Sequence, residues 1–172
     1  MQRANTVWPL LVLWWPLAAH ADAADVPALG LRIGSLPEGT SAPVVSQVSA
    51  GDQMSVQLDK ATLTILRASA PEPAGSDVAN PAYRAGLDAR FSEQIDSKEQ
   101  GAPTALDGHG AWTVVEARST GGATTYACVT YVIVDQHLYR MTVNATGDPR
   151  PPEFDGLVKA LSSITFEPLH RA

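Results

Sequence analysis

Between Ala111 and Thr146 the chain spells three successive runs dense in β-branched and aromatic residues, broken only by Gly121-Gly122 and by Asp135-Gln136-His137. Runs of this length with gaps this short leave one arrangement open, an antiparallel meander. The expected strands are Ala111–Arg118, Thr124–Val134 and Leu138–Thr146. A symmetric turn at the glycine pair sets Trp112 opposite Tyr131 and Val114 opposite Val129. A three-residue second loop sets Val134 opposite Leu138, Tyr131 opposite Met141 and Val129 opposite Val143. One face then carries Trp112, Val114, Val129, Tyr131, Ile133, Tyr139, Met141 and Val143, and reads as core. The other carries Thr113, Val115, Tyr126, Cys128, Thr130, Val132, Arg140, Thr142 and Asn144. The middle strand is apolar on both sides, which implies a sheet covered fully on one face and partly on the other. A change of one residue in either turn inverts the assignment.

Upstream, Met54–Leu58 and Thr62–Leu66 alternate about an Asp59-Lys60 turn and make a hairpin, with Val44–Val48 a further strand. Residues 24–43 read as an extended lead-in with a short strand at Leu31–Ile33, and Ala68–Ala79, with Pro71, Pro73 and Gly75, as a loop. A helix starts at Asn80-Pro81, where Asn serves as N-cap and Pro at N1 loses no helix bond. Tyr83, Leu87, Phe91 and Ile95 give it an apolar stripe to about Ser97, with Arg84, Asp88, Glu93 and Lys98 on the wet side. A second helix spans Pro152–Ser163 with Phe154, Leu157, Val158, Leu161 and Ile164 at i, i+3, i+4 spacing. Ile164–Phe166 forms a last short strand.

The first 23 residues read as an export signal: Arg3, an apolar run from Val7 to Leu17, then Ala19-His20-Ala21 and Ala21-Asp22-Ala23 as cleavage sites. Pro9 and Pro16 interrupt the run, which falls short of the ~20 apolar residues of a membrane span. No anchor is therefore expected after processing. The compartment is exported, the periplasm if the source is bacterial. The expected organisation is signal 1–23, lead-in 24–43, one α+β domain over 44–168 and a tail at 169–172. Cys128 is the sole cysteine of the chain, so no internal disulfide can form, and its apolar setting reads as a buried small hydrophobe. With 12 Lys+Arg against 18 Asp+Glu and no basic cluster, the charge of -6 speaks against a nucleic-acid groove.

Two stretches carry a family likeness. Leu106-Asp107-Gly108-His109-Gly110-Ala111-Trp112-Thr113-Val114-Val115 is a glycine-then-small-residue approach to the meander, and Leu157–Phe166 closes a helix on Ser162-Ser163-Ile164-Thr165-Phe166. With the order hairpin, helix, meander, helix, strand, the chain resembles the Mog1/PsbP-like α/β/α sandwich, which includes DcrB-like secreted proteins. The likeness covers roughly Leu31–Phe166. It implies an antiparallel sheet with two packed helices and a non-catalytic domain for protein binding, chaperoning or assembly. It carries over no functional residues. The absence of a cysteine after the signal departs from the lipid-anchored members.

Motifs for catalysis are lacking. G-x-S-x-G, S-x-x-K, H-E-x-x-H, C-x-x-C, G-x-G-x-x-G and the P-loop do not occur, and no cofactor or metal is expected. His109, between glycines, reads as a turn residue. Asp135 and His137 share a turn, and the pair more simply orients the loop than holds a metal. Glu116 and Arg118 share a strand face as a surface ion pair. Asn144-Ala145-Thr146 matches a glycosylation sequon. The candidate binding residues are Thr130, Arg140, Thr142 and Asn144, expected to project together with Tyr126 nearby; the plain alternative is the wet face of an edge strand. The function expected is an exported protein-binding or assembly domain whose partner is another protein. The rivals are a periplasmic immunity protein or inhibitor of a basic toxin or lytic enzyme, and a small hydrolase using His109 or Cys128.

Overall fold

The computed structural model describes residues 23–91 and 101–168. The signal stretch up to Asp22, the expected helical continuation from Ser92 to Ser97, including Ile95, and the tail lie outside the described residues.

Among the described residues ten strands and two α-helices form an α+β sandwich, two strands more than the sequence implies. The first strands are β1 (Ala24–Val26), β2 (Leu31–Ile33), β3 (Val44–Val48), β4 (Gly51–Leu58) and β5 (Ala61–Ala68). Helix α1 (Pro81–Phe91) is followed by β6 (Gly101–Leu106), β7 (His109–Thr120), β8 (Ala123–Val134) and β9 (His137–Thr146). Helix α2 (Pro152–Leu161) and β10 (Ile164–Phe166) complete the fold. A seven-stranded antiparallel sheet runs in the order β3-β4-β5-β9-β8-β7-β6, and a three-stranded sheet in the order β1-β2-β10. The meander thus gains a strand that sequence reading missed. β6 is short, begins at Gly101 and contains Pro103, and these mask the alternation by which strands are recognised.

The first turn of the meander falls as expected: Trp112 pairs with Tyr131, and Val114 with Val129. The second does not. Val134 pairs with His137, so the loop holds two residues, Asp135 and Gln136, both at positive φ. Residue pairs of this conformation make the tight hairpin turn whose twist matches its strands. Relative to the expected register, β9 slips by one residue. Tyr131 faces Arg140, Thr130 faces Met141 and Val129 faces Thr142. Tyr139, Met141 and Val143 therefore share a face with Cys128, Thr130 and Val132, while Arg140, Thr142 and Asn144 share the other with Trp112, Val129 and Tyr131.

Both faces of the sheet are covered in part. On one, α2 packs Phe154, Leu157, Ala160 and Leu161 against Met54, Leu63, Ile65, Met141 and Val143, and the small sheet adds Val26, Leu31, Ile33 and Ile164. The expected lead-in is thus part of the main core. Its single 3₁₀ turn at Pro27–Leu29 buries Leu29 completely. On the other face, Val78, Tyr83 and Leu87 of the loop and α1 cover Val129, Tyr131 and Leu138. Asn80 caps α1 as expected: its Oδ1 accepts the Ala82 N–H at 2.9 Å. Arg84 is not on a wet side. Its guanidinium lies 3.5 Å from the Trp112 ring centroid and donates to the carbonyls of Val78 and Ala79. The preceding loop is pinned by Glu72, which is 8% exposed and accepts hydrogen bonds from Tyr83 and Arg90.

Candidate functional site

The slip in β9 divides the expected binding set. Thr130 lies on the α2 face, is 5% exposed, and shares a hydrogen bond of 2.9 Å with Thr113, which in turn meets Thr104 at 3.0 Å. Its hydroxyl is used within the sheet. Arg140, Thr142 and Asn144 remain together on the α1 face, and β9 is an interior strand between β5 and β8, not an edge. Arg140 is half-buried, and burial lowers the pKa of its guanidinium. Thr142 is buried and Asn144 exposed.

Cross-strand pairing carries these three positions toward one edge of the sheet. Arg140 pairs with Leu66, which pairs with Gln53 and then Ser46. Thr142 continues through Thr64 and Ser55 to Val44, and Asn144 through Thr62 to Gln57. Apart from Arg140, these rows contain no charged side chain. The first two rows end on β3, where all five residues are exposed, and the third stops at Gln57 on β4. Val44, Val45 and Val48 are 62%, 48% and 37% exposed, and only Val115 joins them as an exposed large hydrophobic among the described residues.

The two edges of the large sheet differ. β6 carries Pro103, which removes a backbone donor and discourages further pairing. β3, Val44-Val45-Ser46-Gln47-Val48, has neither proline nor charge. It offers a row of open N–H and C=O groups on a segment of high β-propensity, the form that accepts an added strand. The sequence signal for this edge was present in its composition. What was missing was the strand order, which alone says that β3 is terminal.

A second feature is an open cleft of about 400 Å³ beside the β8–β9 turn, lined by Arg67, Asp135, His137, Tyr139 and Glu167 among others. Arg67 Nη2 lies 3.3 Å from His137 Nε2 and Nη1 lies 3.8 Å from Asp52. A guanidinium only donates, so Nε2 is the acceptor in this contact. The imidazole lone pair is thus occupied. Tyr139 donates to the Leu29 carbonyl at 2.6 Å, and burial raises its phenol pKa. Arg67 thus ties the start of β9 to β4, while its Nε and His137 Nδ1 are buried without a hydrogen-bond partner, and no third ligand joins Asp135 and His137 in a metal-binding cluster among the described residues.

The residues considered for hydrolysis are kept apart. His109 opens β7 and packs edge-on against Phe166, at 5.6 Å between ring centroids. Cys128 pairs with Val115, six positions further along that strand, a separation of roughly 20 Å. The thiol is buried, and burial raises its pKa. Glu116 and Arg118 do pair, at 4.0 Å. No helix among the described residues is long and apolar enough to cross a membrane.

No family model and no curated protein matches the chain. Solved structures do. Cyanobacterial PsbP (CyanoP) from Synechocystis aligns over 86% of this chain and 93% of its own, with a TM-score of 0.59 at 12% identity. A protein from Bacteroides thetaiotaomicron aligns over 86% of this chain with a TM-score of 0.57 at 6% identity, and this chain spans 49% of it. LpqN of Mycobacterium tuberculosis, involved in cell envelope biogenesis, aligns over 80% of this chain and 83% of its own, with a TM-score of 0.45 at 13% identity. The fold is that of the Mog1/PsbP-like sandwich.

Proposed function

We propose that the chain is an exported, non-catalytic domain that binds another protein through the β3 edge and the uncharged sheet surface leading to it from Thr142 and Asn144. The observation that carries the reading is the concentration of exposed valines on an uncharged terminal strand. Strand addition supplies affinity through main-chain hydrogen bonds and specificity through alternate side chains, and needs no reactive group. Export rests on the signal pattern ahead of β1, which begins one residue after the Ala21-Asp22-Ala23 site. In a bacterium the compartment is the periplasm.

The test is a photo-crosslinking side chain placed at Val45 in the full chain, expressed in its own host. The expected outcome is an adduct in the envelope fraction with one defined partner protein, identified by mass spectrometry. It should be lost when Val44→Glu and Val48→Glu are introduced together. Absence of any non-self adduct would overturn the reading.

A further inference from the structure

We infer that β3 also pairs with β3 of a second copy of this chain, antiparallel about a two-fold axis at Ser46, joining two seven-stranded sheets into one. The inference takes from the proposed function only the reading of β3 as an open edge.

Three observations argue for a second copy as the occupant. The strand is close to self-complementary about its centre. Antiparallel pairing on Ser46 sets Val44 against Val48 of the other copy and Val45 against Gln47, so the exposed valines at the two ends cover one another. A two-fold interface requires this kind of match, because the same patch must serve both sides. Charge points the same way. Each copy carries a net charge of -6, so two copies repel at most surfaces, yet β3 has no charge and its neighbour β4 has only Asp52, which faces Arg67 within its own chain. Finally, the opposite edge is guarded by Pro103 while β3 is unguarded, so pairing closes at two copies and does not run on into a filament.

The test uses the chain beginning at Ala24 in sedimentation velocity over a wide concentration range. A monomer–dimer equilibrium is expected, tightening with added salt as repulsion between the acidic bodies is screened. Val44→Glu with Val48→Glu places like charges directly opposite and should raise the dimer Kd by about ten-fold or more. Val44→Lys with Val48→Glu places opposite charges across the axis and should keep the Kd within about three-fold of the parent. All five β3 side chains are exposed, so circular dichroism should show both variants folded. Ser46→Cys supplies an independent readout. Residues directly opposite in an antiparallel pair lie about 4.5–5.5 Å apart at Cα, within disulfide reach. Mild oxidation should therefore give a covalent dimer, while the parent, whose Cys128 is buried, should give none. A chain that stays monomeric throughout, with no Ser46→Cys dimer, overturns the inference; so does a dimer indifferent to both charge variants. A monomer that still forms the Val45 adduct with another protein sinks self-pairing alone. A dimer with no non-self adduct sinks the proposed function alone.

Discussion

Gly51 opens β4 at φ +151°, and a Cβ there would stand 1.9 Å from the Arg67 carbonyl oxygen. Both the conformation and the space exclude a side chain. Gly51→Ala should cost about 3 kcal/mol or more, since backbone on both strands would have to move, and a urea titration measures it. Gly101 is restricted by space alone: a Cβ would meet Trp112 Nε1 at 2.1 Å. The residues that hold protons make a prediction about pH. Burial raises the pKa of the Cys128 thiol and of the Tyr139 phenol, and burial with the Glu72 hydrogen bond raises that of Tyr83. In the unfolded chain these groups ionise near their ordinary values, about 8.5 for Cys and 10 for Tyr. Above those values the unfolded state loses protons that the folded state still holds. Their contribution to stability is thus complete below about pH 8.5 and declines as pH rises toward the folded-state values. Denaturation midpoints followed from pH 7 to 11 should fall on the alkaline side, and Tyr83→Phe should make that fall shallower. A flat profile would contradict the assignment.

The elements owe their placement to a few local devices. Gln136 adopts φ 64°, a region costly for a residue with a Cβ, yet only its backbone carbonyl is engaged, accepting the Glu72 N–H. Gln136→Gly should therefore stabilise the chain by about 0.5–1 kcal/mol, read as a higher melting temperature with the β8–β9 register unchanged. The loop before α1 depends on the Glu72 carboxylate. Glu72→Ala would leave the Tyr83 hydroxyl without its acceptor and remove an ion-paired contact to Arg90, for a loss of about 1–3 kcal/mol. Hydrogen exchange should then accelerate in α1 while β4 and β5 keep their protection. Most elements were legible because their signals are local: the Asn80-Pro81 start, the α2 spacing, the Asp59-Lys60 hairpin and the glycine turn of the meander. β6 was not, because Pro103 and small residues blur its pattern. The β8–β9 turn was misjudged by one residue because Asp135 and Gln136 do not announce a two-residue turn as Asn-Gly would.

In the whole molecule the two ends of the domain meet on one strand, since β1 and β10 flank β2. Val26, Leu29, Leu31, Ile33 and Leu36 are all buried in the main core. At about 1.5–3 kcal/mol for each such side chain, their removal approaches the ~5–15 kcal/mol total stability of a domain. A chain starting at Pro37 should therefore lose cooperative unfolding, and a calorimetric transition equal to that of the longer chain would refute this. The sequence by itself determined the α+β class, the order of most of the main elements and the apolar spacing of α2 and of the β4–β5 hairpin, because these follow from turn chemistry and from periodicities of 2 and 3.6 along the chain. Only tertiary structure decided which face Arg140, Thr142 and Asn144 share, that Thr130 is severed from them, that β9 is interior and that β3 is an open edge. Alternation fixes which residues lie together on one strand. Which face of the neighbouring strand they join depends on the turn between the two, and which strand ends the sheet depends on pairing between segments far apart in sequence.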